Sequence, residues 1–209
     1  MALSRPPPSD DPLCRGTFVH TCRDAAVKLW GPSSLESIAR HLPDDVRRKT
    51  LDSIPISLEW HPESHVVAWN EAAWRGPCAE DEARFRAFID CWTDLCFGRM
   101  RRALIAFLTP AGLFKRAPDL WRHDHTHGLL AATTRDGAAR AMTITLTDHP
   151  YLATPVSRRA IAETFRHIVS RTRVRDVRET HTLQSTRALV VKISWGLAST
   201  SPRPSGSAE

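Results

Sequence analysis

Apolar positions recur every three to four residues through the first half of the chain and every second residue through much of the second half. The first period belongs to helices packed on one face and the second to half-buried strands. Gly16 to Trp30 places Phe18, Val19, Cys22, Ala26 and Leu29 at helical spacing, and Gly31 follows where a left-handed helix end is favoured. Ser33-Ser34-Leu35-Glu36 fits a capping box that opens a short helix to about Leu42. Pro43-Asp44-Asp45 starts a third helix, with acids at its positive end. Ile54 to Trp60 reads as extended. Pro62 opens a helix carrying Val66, Trp69, Ala73 and Trp74, broken by Gly76-Pro77. Asp81 to Leu108 is the longest helical stretch, with Phe85, Phe88, Ile89, Trp92, Leu95 and Cys96 in one stripe and Gly98 as a point of division. Thr109-Pro110-Ala111-Gly112 stops it, and Leu113 to Trp121 leads into the second half.

There the period changes. Leu129 to Thr134 and Ala139 to Thr147 read as strands joined at Arg135-Asp136-Gly137, and Met142, Ile144 and Leu146 share one face. Thr154-Pro155 caps a helix to about Thr172, with Ile161, Phe165, Ile168 and Val169 inward. Val174 to Leu183 and Ala188 to Trp195 form a second hairpin around Gln184-Ser185-Thr186. The expected class is α+β: a helical N-terminal subdomain, residues 16–121, packed on a ββαββ antiparallel-sheet C-terminal subdomain, residues 122–196. The proline-rich arm 1–15 and the Pro/Ser/Gly-rich tail 197–209 are expected to be disordered.

Charge and composition narrow the function classes. The formal charge is +6, supplied almost wholly by arginine. Arg99, Arg101 and Arg102, and then Arg171, Arg173, Arg175 and Arg178, cluster locally, but without the interleaved aromatics of a single-strand binder, so nucleic acid is not the expected partner. No run of apolar residues is long enough to cross a membrane, and the first dozen residues lack the apolar core of a secretory signal, so a soluble cytoplasmic protein is expected. Cys14, Cys22, Cys78, Cys91 and Cys96 include no CxxC pair, which argues against a zinc ribbon and for reduced thiols.

Two features carry candidate chemistry. If Trp121 to Gly128 is extended, His123, His125 and His127 point to one side about 7 Å apart, close enough for neighbouring imidazoles to share a metal such as zinc or nickel. The alternative is an exposed polar lead into a strand. His20 and Cys22 face differently on one helix, and His167 falls on the polar side of its helix, where it is expected to be solvated. The acids Glu80, Asp81 and Glu82 precede a helix, where its dipole explains them. The glycines form neither a dinucleotide nor a phosphate loop, and no nucleophile elbow is present, so no enzyme is expected. The seven tryptophans are either bulky core or the walls of an apolar pocket between the halves; Trp69, Trp92, Phe107, Trp121 and Tyr151 are the candidate lining.

The stretches GTFVHTCRDAAVKLWGPSSLESIARHLPDDVR, GRMRRALIAFLTPAGLFKRAPDLWR, GLLAATTRDGAARAMTITLTDHP and RDVRETHTL…ALVVKISW, spread from about Gly16 to Trp195, resemble an uncharacterised bacterial branch of the heme-nitric-oxide-binding and vinyl-reductase-type sensor superfamily. The resemblance implies a helical subdomain on an α/β subdomain, a ligand cavity between them and a signalling role. Heme members carry a ligating histidine on the helix before the Leu-Trp-Arg-like segment, whereas Arg99 to Leu113 contains none. Of the Tyr-x-Ser-x-Arg motif of heme members, only Tyr151 is kept, and Thr180 to Arg187 lacks the cysteines of the vinyl-reductase-type members. Heme is therefore not expected, and the cofactor is left open. The expected function is a non-enzymatic sensor holding a small apolar ligand, with two alternatives: an interaction module binding a protein partner with its cavity filled, or a metal-binding protein using the three histidines. A homodimer is compatible with each.

Overall fold

Where the hydrophobic period is helical, the chain builds a helical layer, and where it alternates, a four-stranded sheet. The computed structural model describes residues 6, 9–53, 55–134 and 140–197. A strand, β1 (Leu13–Arg15), leads into α1 (Gly16–Trp30), α2 (Ser34–Ala39) and α3 (Asp44–Thr50). A second short strand, β2 (Trp60–Pro62), runs directly into α4 (Glu63–Arg75), followed by α5 (Glu82–Ala106), α6 (Pro110–Lys115) and α7 (Ala117–Asp124). The second half is β3 (Leu129–Thr134), β4 (Ala141–Thr147), α8 (Pro155–Ser170), β5 (Val174–Ser185) and β6 (Ala188–Leu197). The main sheet is antiparallel in the order β3-β4-β6-β5, and β1 pairs antiparallel with β2 in a separate ribbon. The α+β class and the ββαββ second half agree with the sequence reading. No helix among the described residues is long and apolar enough to cross a membrane.

Alternation in β4 and β6 sets the sheet's buried face. Met142, Ile144 and Leu146 stand opposite Ile193, Val191 and Leu189, and all six are buried. Such cross-strand pairs are what fix register, because a one-residue slip would turn the whole set to solvent. α8 covers that face with Phe165, Ala162 and Val169. Its start is capped as expected, with the Thr154 hydroxyl accepting from the Ser157 backbone N–H at 3.1 Å. The helical half has its own core, in which Trp69, Phe85, Phe88 and Ile89 are fully buried. The Trp92 indole donates to the Phe18 carbonyl at 2.9 Å and so ties α5 to α1. Gly98, at φ 59°, divides α5 as the sequence suggests.

Several local expectations are corrected. The arm does not reach residue 15: Leu13–Arg15 is a buried strand, held because its backbone pairs with Trp60–Pro62. Ile54 to Trp60 is not a strand in its described part; the chain turns at Ser57 and Leu58, and pairing begins at Trp60. Ser33 makes no side-chain cap; instead the Ser34 hydroxyl reaches back to the Gly31 carbonyl at 2.6 Å. Trp121 to Gly128 is not one extended run, because α7 continues to Asp124. The Arg135-Asp136-Gly137 turn and the tail beyond Leu197 lie outside the described residues.

The largest correction is His167, which is 5% exposed and not solvated. Its Nδ1 lies 3.0 Å from Asp90 and its Nε2 2.9 Å from Asp94, so α8 is locked to α5 through one imidazole between two carboxylates. Arg166 also reaches Asp90, and Arg171 reaches Asp94. Arg86 on α5 donates to the buried Glu163 carboxylate at 2.8 Å. Burial pushes the Asp90 carboxyl up, but His167 and Arg166 outweigh it, and the net shift is downward.

Candidate functional site

The β1–β2 ribbon brings three distant segments to one place. The Glu63 backbone N–H donates to the Pro12 carbonyl at 2.9 Å, which sets the first residue of α4 beside β1. On the other side of β1, the Leu13 N–H donates to the Thr126 hydroxyl at 2.9 Å, the Thr126 N–H donates to the Leu13 carbonyl at 3.0 Å, and Cys14 bridges His125. The linker between α7 and β3 is thereby drawn onto the helical half. Gly128 ends it at φ 75°, and a Cβ there would stand 3.1 Å from the Trp121 indole nitrogen.

Around this junction lie Glu63, His125, His127 and His149. The Glu63 carboxylate is buried and lies 3.2 Å from His125 Nδ1. The buried Cys14 thiol also bonds to it. His149 follows Asp148, whose φ is 55°, and is buried. Its backbone N–H donates to the Arg187 carbonyl at 3.2 Å, and its Nδ1 accepts from the Tyr151 N–H at 3.3 Å. The ring centroids of His127 and His149 are 4.8 Å apart. Candidate ligand atoms of Glu63, His127 and His149 all lie within 4.8 Å of one another. Among the described residues, neither ring nitrogen of His127 nor Nε2 of His149 has a hydrogen-bond partner.

The charges follow from burial and proximity. Burial raises the Glu63 carboxyl, but the imidazoles of His125, His127 and His149 outweigh it and hold the group at about 2. Burial lowers His149 to about 4 and also lowers His127, with Glu63 pulling both the other way. At neutral pH the cluster therefore presents one carboxylate and two neutral imidazoles, the protonation states in which these side chains bind cations. The thiols are held protonated: burial raises Cys14 and Cys22, and takes Cys96 to about 12.

Two adjoining cavities sit beside the cluster, between α1, α5, α7 and α8. One, of about 80 Å³, includes Glu63, His149 and Tyr151 in its wall; the other, of about 130 Å³, is lined by Ile105, Leu113, Phe114, Leu130 and Ile168 among others. Phe18, Trp92, Trp121, His125, Thr164 and Phe165 border both. Trp121 stacks on His125 with ring centroids 4.0 Å apart and donates to the His127 carbonyl at 2.8 Å.

Of the five candidate lining residues, Trp92, Trp121 and Tyr151 stand at these cavities. Trp69 does not; it is fully buried in the helical core, donating to the Thr50 hydroxyl at 2.9 Å. Phe107 is 73% exposed, with the Arg173 guanidinium over its ring. The three candidate metal histidines separate for a simple reason: α7 places His123 on a helix, 2.7 Å from Asp124, while His125 follows in extended backbone and His127 at a bend. His125 is taken up by Glu63 and Trp121, and only His127 joins the triad. The sequence reading takes neither Glu63 nor His149 as a ligand. Glu63 looks like an acid at a helix start, and the only signal for His149 is a histidine just past the end of a strand.

No protein-family model and no curated protein matches the chain. Solved structures do. An H-NOX protein from S. oneidensis in the Fe(II)NO ligation state shares 11% identity at a TM-score of 0.59, over 87% of this chain and 98% of its own. An Fe(II) unliganded H-NOX protein from K. algicida shares 8% at 0.59, over 88% and 97%. An oxygen-binding H-NOX domain related to soluble guanylate cyclases shares 12% at 0.58, over 87% and 94%. The fold is thus of the H-NOX type, in agreement with the resemblance read from the sequence.

Proposed function

We propose that the chain is a non-enzymatic sensor or ligand-binding module that takes a small apolar molecule into the hollow between its helical and sheet halves. The observation that carries this reading is the pair of adjoining cavities with aromatic walls, at the junction of an H-NOX-type fold. A cavity of about 130 Å³ is close to the size that holds benzene or xenon when lined by apolar side chains. Cofactor-sized sites run to roughly 300–1,000 Å³. Trp121 and His125 stand stacked in the wall that the two cavities share, which supports a small ligand over a porphyrin. The neighbours in nitric oxide and oxygen complexes support a small, weakly polar ligand here. The protonated thiols offer no nucleophile, which supports a binding role over catalysis. Five unpaired thiols suit a reducing compartment and support a cytoplasmic setting.

The test is a titration of the full chain with benzene, followed by tryptophan fluorescence, beside a parallel titration with hemin followed by its Soret band. The expected result is saturable quenching by benzene, lost in Ile168→Trp, which fills the larger cavity, and a hemin spectrum unchanged from free hemin. Stoichiometric hemin uptake with a shifted Soret band would replace the small-ligand reading with a heme one. Absence of any saturable response to benzene would remove the pocket reading and favour a protein partner.

A further inference from the structure

We propose that Glu63, His127 and His149 hold one divalent first-row transition metal ion, zinc or iron(II), beside the smaller cavity. Two imidazoles and one carboxylate are a donor set that suits these ions and leaves coordination positions open. The three candidate ligand atoms already lie within 4.8 Å of one another. Ligand atoms around a four-coordinate ion stand roughly 3.3–3.5 Å apart, given metal–ligand bonds of about 2.0–2.2 Å. A closing movement on the order of 1 Å per side chain completes the triad.

Three independent observations point to a bound cation. The first is the set of imidazole nitrogens: both of His127, and Nε2 of the 2%-exposed His149, lack a partner among the described residues. Buried polar atoms are nearly always satisfied, and orphans gathered on one point call for a shared occupant. The second is charge. Among the described residues the buried Glu63 carboxylate faces the imidazoles of His125, His127 and His149 and the Cys14 thiol but no lysine or arginine hydrogen bond or ion pair, and a dication there would balance a buried anion. The third is the support around the triad. His125 and the Cys14 thiol orient Glu63, and the Trp121 indole fixes the His127 backbone, as outer-shell partners do in built metal sites. His149 meets one cost. Binding through Nε2 puts its proton on Nδ1 and gives up the 3.3 Å bond from the Tyr151 N–H, a single neutral hydrogen bond. Two of the three ligands, Glu63 and His149, also line the smaller cavity. The site does not depend on whether that cavity takes an apolar ligand.

The experiment is elemental analysis of the full chain, purified from cultures supplied with zinc or with iron under anaerobic conditions. A parallel arm titrates chelator-treated protein with cobalt(II), read by visible d–d absorption. The expected result is one ion per chain and a saturable cobalt spectrum. His127→Ala weakens cobalt binding by roughly tenfold or more, and His149→Gln does the same. His123→Ala binds as the parent does. His127→Ala is the deciding variant because His127 is only half-buried, and circular dichroism checks that it folds. Unchanged binding in the folded His127→Ala variant, or no saturable uptake by the folded parent chain, would overturn the proposal. Whether zinc or iron is retained decides between the two ions.

Discussion

Replacing His167 by alanine should loosen the joint between the two halves more than any surface change. The imidazole links Asp90 and Asp94 at 3.0 and 2.9 Å. Hydrogen bonds to charged groups contribute about 1.5–3 kcal/mol each, so two set an upper bound near 6 kcal/mol. Both carboxylates keep an arginine, Arg166 and Arg171, and Asp90 is 32% exposed, so water and the remaining cations recover about half of that. The expected loss is about 2–3 kcal/mol, or roughly 1 M in the urea midpoint at an m-value of about 2 kcal/mol/M. The assay is urea unfolding followed by tryptophan fluorescence. A double-mutant cycle with Asp94→Asn separates the pair from lost packing, and a coupling of about 1–2 kcal/mol is expected. A total loss below about 0.5 kcal/mol, the level of ordinary surface substitutions, would show that the two acids do not depend on the imidazole.

Three further outcomes are expected. Because the Asp90 carboxyl is lowered in the folded state, its contribution is present above its ordinary value of 3.8 and is lost as pH falls through the folded value; the stability gap between the parent chain and Asp90→Asn, read by urea midpoints, should therefore be full near pH 7 and shrink steadily below pH 3.8. Gly16→Ala should cost more than about 2 kcal/mol, since its Cβ would stand 2.2 Å from the Ile56 carbonyl, a backbone atom that cannot step aside; a thermal midpoint within error of the parent would refute this. Under native conditions a thiol reagent at pH 8 should modify Cys91 first and leave Cys14, Cys22 and Cys96 slow, because burial suppresses their thiolates; rapid modification of all five would contradict the buried placement.

The elements were legible where packing is local. Period placed α1, α4, α5, α8 and the four strands of the main sheet within a few residues, because each buries one face against its neighbours and shows the pattern doing so. The site was legible only in part, because it is made by tertiary pairing. His127 was visible within a histidine-rich run, but the spacing argument assumed an extended segment, and the helical turn through Asp124 removed His123 from the set. Glu63 carried the signature of a helix-dipole acid, and that role gave no reason to look further. His167 sat on the polar stripe of α8, and nothing in its own helix reveals that α5 presents Asp90 and Asp94 to that stripe. Trp69 and Phe107 have the same aromatic character as Trp92 and Trp121, yet one is sealed in the helical core and the other stands in solvent.

The hydrogen bonds between Leu13 and Thr126 also bear on when the site exists. They join residues 113 apart in sequence. Closing a flexible loop of that length costs about 4 kcal/mol of chain entropy beyond a constant term. Contacts of such long range are repaid only after the intervening helices have formed, so they belong to the late steps of folding. Glu63 and the linker bearing His127 meet through this same strand, and neither half alone contains the full set. The cluster is therefore a readout of completed folding: a partly folded chain can hold every helix and still have no site.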